Sequence, residues 1–362
     1  MYLGDEFHNK RKTNDFCMEK IVILPFNDHP ILLMYHNVAF PMGIIQGNAK
    51  GDITPWLCGK FLNCYFNANT ENQFNLSYAY SYFGEDKILF EQNVSLIREF
   101  YGIFGFDILK LFRHMLNNGH FIQGSYNEEY IPGKWAYQNS YYHHDFLLIG
   151  YDDIKKVFIS VGYLKDQKFQ RYEIQYSDML QSILTLKIEK LWFKFWSYNP
   201  DVKFVFNLSR VISELSDYLN STTSLCIYKG DNIYGLSAIA ALGKLFEKQA
   251  EQRMHIDFRY SRGLMEHKYL MYKRIVYMAQ QNFGIHAKHA DRAEQVYRLS
   301  ERVHLLGLKH MMTGNQEIIC SIQALIVRIN EMELAYLSDV LDKLIRLKQE
   351  DERDEKSLSQ SV

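Results

Sequence analysis

The stretch His143-His144-Asp145-Phe146-Leu147-Leu148-Ile149-Gly150-Tyr151-Asp152 continues through Asp153-Ile154-Lys155 into Lys156-Val157-Phe158-Ile159-Ser160-Val161-Gly162-Tyr163. Residues 145–151 and 156–163 are rich in β-branched and aromatic side chains. The Asp-rich connection between them favours a turn, so the pair reads as an antiparallel hairpin. Upstream, residues 120–126 read as another strand, and the apolar runs 21–25 and 31–35 as two more. Residues 43–52 contain Gly43, Gly47 and Gly51 and read as a loop. Over 55–67, Leu57, Phe61, Leu62 and Tyr65 fall on one helical face. Helices are also expected over 94–100, over 107–117 with a stop at Asn118-Gly119, and over 177–188 with Ser177 as the opening signal. Helices followed by an antiparallel sheet indicate an α+β fold.

The pattern changes near residue 195. Beyond it Pro is almost absent, and helical periodicity dominates over 202–220, 235–251, 258–282, 287–306 and 315–348. Asn199-Pro200 reads as a turn. The expected division is therefore a first domain over 1–198, an α-helical domain over 199–348 and a flexible tail over 349–362. Two domains also suit a chain of 362 residues.

Composition excludes several classes. With 47% hydrophobic and 15% aromatic residues the chain can bury a core, so disorder is out. Lys and Arg number 41 against 42 Asp and Glu, so the basic excess of a nucleic-acid binder is missing. No run approaches the ~20 apolar residues of a membrane span, and residues 1–11 lack the apolar stretch of a secretory signal. The five cysteines, Cys17, Cys58, Cys64, Cys226 and Cys320, are odd in number and form no CxxC pair. Free thiols in a reducing cytoplasm are the simplest expectation, with neither metal nor cofactor.

Two segments can carry chemistry together. In Trp56-Leu57-Cys58-Gly59-Lys60-Phe61-Leu62 a cysteine opens an expected helix. The positive end of a helix dipole favours thiolate, and its open N–H groups suit an oxyanion. In His143-His144-Asp145 a histidine opens an expected strand and can take the thiol proton and return it to a leaving group.

A cysteine on a helix followed by a histidine on a strand ending in Gly150-Tyr151-Asp152 resembles the papain-like enzymes. More closely, it is similar to the family of the N-terminal domain of butirosin biosynthesis protein H. Cys58-Gly59 matches the family's nucleophile and small residue. Counting six back from Gly150 selects His144 over His143 as the catalytic histidine. The helical second half, including the helix start Gly235-Leu236-Ser237-Ala238, is similar in kind to the family's C-terminal region. The resemblance implies a papain-like first domain with Cys58 as nucleophile and His144 as base. It also implies acyl transfer from the thioester of an acyl- or peptidyl-carrier protein to a small-molecule amine. The chain departs from the pattern twice. The strand after the histidine carries Val161 and Gly162 where the family has an acidic residue, which leaves Ser160 or Tyr163 to orient His144. Asp52 stands where an oxyanion-binding Gln is common, and Gln46 is the substitute.

Other groups have plainer readings. Cys64 lies further into the expected helix and loses the benefit of its end. Asp152 and Asp153 suit the hairpin turn. His286 and His289 are one pair, short of the ligands a metal needs. Arg259, Arg262 and Lys268 could meet an acidic carrier protein, or simply line a solvated helix face. Residues 315–348 could pair in a homodimer. Three functions fit: a cysteine acyltransferase forming an amide, a peptidase or hydrolase using the same pair, or a non-catalytic module that binds an acylated carrier or small molecule.

Overall fold

The computed structural model describes residues 20–67, 76–78, 86–97, 107–224, 231–252 and 259–360, with side chains to residue 353. In chain order its elements begin with β1 (Ile21–Ile23), α1 (His36–Asn48), α2 (Thr54–Cys58), β2 (Cys64–Asn67), β3 (Leu76–Tyr78) and β4 (Leu89–Ile97). Next come α3 (Ile108–Asn117), β5 (Phe121–Asn127), a 3₁₀ turn (Glu128–Tyr130), β6 (His143–Asp152), β7 (Val157–Tyr163), β8 (Phe169–Gln175), α4 (Tyr176–Leu184) and β9 (Lys190–Tyr198). Then follow α5 (Leu208–Leu219), β10 (Asn232–Tyr234), α6 (Gly235–Glu251), α7 (Arg259–Gln280), α8 (Ala287–Thr313) and α9 (Glu317–Gln360). The fold is α+β with an antiparallel sheet and a helical C-terminal region. No helix among the described residues is long and apolar enough to cross a membrane.

The chain divides into two compact units. The sheet unit takes the chain up to Pro25 and then Gln92–Trp196, and the helical unit takes Phe26–Glu91 and Ser197 onward. One division therefore lies close to Asn199-Pro200, but residues 26–91 belong with the helices. Their backbone is bonded there. The Glu266 carboxylate of α7 accepts from the N–H groups of Leu33 and Met34, at 3.0 Å each. Arg274 donates to the Cys58 carbonyl at 2.7 Å, and His267 donates to the Leu62 carbonyl at 2.7 Å.

The sheet unit is built on the hairpin. The strand order is β4-β9-β5-β6-β7-β8, and β1 pairs with β6. Register runs Leu148 to Ser160 and then Gly150 to Ile159, so β6 carries an extra residue at Ile149. The Ile149 carbonyl accepts from Leu24 N at 2.7 Å. A β-carbon at Gly150 would lie 2.2 Å from the Val22 carbonyl oxygen, so only glycine admits β1 here. Asp107 caps α3 by accepting from Lys110 N at 2.9 Å. Ile108, Phe112 and Leu116 then form one buried stripe. Phe112 sits 5.1 Å from the Phe193 ring, 5.8 Å from Phe158 and 6.0 Å from Phe146. Burying one such ring stabilises the unit by about 1.5–3 kcal/mol.

The helical unit contains a small sheet, β10-β2-β3, in which Tyr65 pairs with Tyr234 and Cys64 with Tyr78. Several expected elements differ. Residues 31–35 are irregular rather than a strand, because the N–H groups of Leu33 and Met34 bind the Glu266 carboxylate and that of Ile31 binds Gln46. Residues 43–48, read as loop, belong to α1. Gly43 is needed there for contact: the Phe26 ring occupies the place of a β-carbon, with Cζ at 2.1 Å. The helix read over 55–67 is a single turn, α2, ended where Phe61 adopts φ 56° and followed by β2. The helix read over 94–97 is strand β4, and residues 98–100 lie outside the described set. Ser177 is not a cap: α4 starts at Tyr176 after Gln175, without a side-chain cap. The helix expected from 202 starts at Leu208, where Asn207 accepts from Arg210 N. The expected flexible tail continues α9 to Gln360.

Candidate active site

His144 is the second residue of β6 and pairs across the sheet with Tyr126 of β5. Side chains two residues apart on a strand share a face, so a residue two beyond Tyr126 lies diagonally across from His144. That residue is Glu128. The His144 ring donates from Nδ1 to Oε1 of Glu128 at 2.8 Å, since a carboxylate can only accept. Glu128 is 4% exposed and His144 half-buried. Asn127 shapes the turn that delivers Glu128, accepting from the N–H groups of Glu129 at 3.2 Å and Tyr142 at 3.1 Å. Glu128 N closes the same turn on the Tyr142 carbonyl at 2.9 Å. The basic atom of the neutral His144 ring is then Nε2, the atom required for proton transfer.

The carboxylate absent after the histidine is thus supplied by the 3₁₀ turn that follows β5. The expected substitutes make other contacts. The Ser160 hydroxyl donates to the Leu147 carbonyl at 2.9 Å. The Tyr163 carbonyl accepts from Lys134 at 2.6 Å, and the Tyr163 ring packs 5.4 Å from Phe169. The register of β5 against β6, which only the folded sheet sets, brings Glu128 to His144. His143 and Asp145 flank His144 along β6, and a carboxylate oxygen of Asp145 lies within 4.8 Å of a His144 ring nitrogen. Burial pulls the His143 ring below the usual histidine range, against the opposing effect of Asp145. Gln123 donates to Asp145 at 3.4 Å.

Cys58 lies in the helical unit, whereas His144 belongs to the sheet unit. It is the last residue of the five-residue α2, not the first of a long helix. The expected help from a helix N-terminus therefore does not apply. The side chain is buried, and burial pushes its thiol up to about 11, outweighing the Arg274 and Lys273 charges that pull it down. Asp52 serves α2 structurally: its carboxylate accepts from Thr54 N at 2.9 Å, and bonds to Thr54 hold it below the usual carboxylate range. Gln46, the expected oxyanion donor, lies in α1 and accepts from Ile31 N at 3.0 Å. Cys64 sits in β2, where burial pushes it up to about 12. Cys320 is exposed on α9, and Cys17 and Cys226 lie outside the described residues. A group titrating near 11 is about 10⁻³ thiolate at pH 8. At that pH iodoacetamide should label Cys320 at least 10²-fold faster than Cys58 or Cys64, and Cys58 labelling should accelerate as pH rises toward 11. Peptide mass mapping over a time course checks this, and equal rates for Cys58 and Cys320 would contradict it.

The residues of α7 expected to face a carrier protein are largely committed within the unit. Lys268 is fully buried, with Nζ 2.6 Å from Oε2 of Glu333 and 2.7 Å from the Tyr218 hydroxyl. Tyr218 also donates to Oε2 of Glu333 at 2.6 Å. Arg262 pairs with Glu266 at 2.9 Å, and the Arg259 guanidinium lies 5.9 Å from the centre of the Tyr35 ring. His289 uses both ring nitrogens, Nδ1 accepting from His286 N at 3.1 Å and Nε2 donating to Asp339 at 2.7 Å. It closes the start of α8 and has no lone pair left for a metal. No protein-family model matches the chain, and no curated protein matches it significantly.

Proposed function

We propose that the protein is a cytoplasmic acyl-transfer enzyme in which His144, oriented by Glu128, moves the proton. The observation that carries this reading is the 2.8 Å bond from Nδ1 of His144 to a buried carboxylate. Such a bond fixes one tautomer and stabilises the imidazolium formed as the ring accepts a proton. In the proposed cycle the Cys58 sulfur attacks the carbonyl carbon of a carrier-protein thioester, and a base takes the thiol proton. The carrier thiolate leaves with that proton. An amine then attacks the Cys58 thioester, and its proton returns to the Cys58 sulfur as the amide forms. A thiol that is protonated in the resting state needs this base, because at neutral pH thiolate is scarce. Thioester-to-thioester exchange is near balance, so no nucleotide is required.

A second reading is favoured by one observation: the Cys58 side chain is only 2% exposed. A module that binds an acylated carrier without reacting has no need of an accessible thiol. Intact-protein mass spectrometry after addition of a simple acyl thioester decides between the two. The enzyme reading expects one acyl mass increment that is lost in Cys58→Ala, kept in Cys64→Ala and slowed in His144→Gln. An unmodified protein that still retains an acylated carrier would establish the binding reading, and an adduct removed by Cys64→Ala would move the nucleophile. Release of free acid rather than amide in the presence of amines would assign the chemistry to hydrolysis.

A further inference from the structure

We propose that Lys134 is a positioning residue for His144, supplying the buried positive charge that holds the Glu128 carboxylate in place as its acceptor. Lys134 is 3% exposed and its Nζ lies 3.8 Å from Oε1 of Glu128, the same oxygen that His144 binds. The ammonium is anchored from several sides. It donates to the Tyr163 carbonyl at 2.6 Å and stands 4.8 Å from the centre of the Tyr172 ring and 5.7 Å from that of Tyr126. The two tyrosine hydroxyls are bonded to each other at 3.0 Å. The backbone beside Lys134 is held as well, since Lys165 N donates to the Gly133 carbonyl at 2.9 Å.

This arrangement has a physical requirement behind it. A carboxylate removed from water is costly unless a cation or several donors compensate it. Glu129, Tyr126, Tyr172, His143 and Asp145 are titratable groups near the pair on the sheet unit, and none of these is a fixed cation. Among the described residues Lys134 is the lysine or arginine paired with Glu128. Without it, the local negative charge draws a proton onto the pair. His144 is then held protonated on both nitrogens, or Glu128 becomes neutral and stops dictating the tautomer. Either outcome removes the basic Nε2.

The inference deepens the reading of His144 as the proton carrier and rests on it for its catalytic meaning, but its structural content has a separate readout. The full chain is labelled with ¹⁵N-histidine, and His144 is assigned by difference from His144→Gln. At pH 8 the wild-type ring should show Nδ1 protonated and Nε2 bare. Lys134→Met should lose that pattern, and Lys134→Arg should restore it. Lys134→Gln keeps a donor for the Tyr163 carbonyl without the charge, so it decides the matter should Lys134→Met fail to fold. In Lys134→Gln, acyl transfer should fall about 10-fold with KM unchanged. A wild-type ring pattern in Lys134→Gln, or in folded Lys134→Met, overturns the proposal. A wild-type protein with the expected ring pattern that forms no acyl adduct would refute the enzymatic reading while leaving the role of Lys134 standing.

Discussion

Lys268→Met should destabilise the helical unit by about 3–5 kcal/mol. Lys268 and Glu333 are both fully buried, and the Tyr218 hydroxyl bridges them with bonds of 2.7 and 2.6 Å. Removing the ammonium leaves a buried carboxylate facing a phenol. Oε1 of Glu333 has no partner among the described residues, so nothing else offsets the loss. Burial also pushes the Tyr218 and Tyr336 hydroxyls upward and keeps the His267 ring neutral, so no neighbour among these offers a replacement charge. The companion change Glu333→Leu in the Lys268→Met background should recover much of the deficit, because the main cost is the orphaned charge rather than the missing attraction. Urea unfolding of the wild type, both single variants and the double variant measures the coupling. A Lys268→Met protein within about 1 kcal/mol of the wild type would show that the pair is easily compensated.

Glu128→Gln should lower the acyl-transfer rate by about 10²–10⁴-fold while changing KM little. Glutamine is nearly the shape of glutamate, so the turn held by Asn127 survives. Its amide, however, can present N–H to Nδ1 of His144. That favours the opposite tautomer, with the proton on Nε2, and the ring can no longer accept one from the nucleophile there. Stopped-flow or quenched acylation with a simple thioester measures the effect, and unchanged thermal unfolding separates it from loss of fold. A rate within threefold of the wild type would exclude Glu128 as the orienting group and return His144 to an ordinary strand residue.

Local pattern was enough for some elements and not for others. The hairpin of β6 and β7 was legible because both runs carry strand formers and are joined by a few turn-forming residues. Helix α3 was legible with Asn118-Gly119 as its stop, and α6 from its run of strong helix formers. The failures have a common cause. Leu57, Phe61, Leu62 and Tyr65 do match a helical face, yet the carbonyls of residues 58, 60 and 62 are taken by Arg274 and His267. A continuous helix would have consumed those carbonyls itself, so the side chains of α7 and the pairing of β2 with β10 override the local spacing. Residues 94–97 likewise carry Val94, Leu96 and Ile97 in a pattern too short to decide, and their place beside β9 makes them strand.

The same division runs through the candidate site. The amino-acid sequence by itself determined the α+β class, the strand that carries His144 and the identity of the chemistry-bearing side chains, because these depend on periodicity and residue type over a few neighbours. The tertiary structure decided which carboxylate meets His144, that Lys134 and Lys268 are interior cations, and that Cys58 ends a short helix under cover. Those outcomes depend on strand register, burial and the competition for backbone carbonyls between segments far apart in the chain, and no local spacing encodes them.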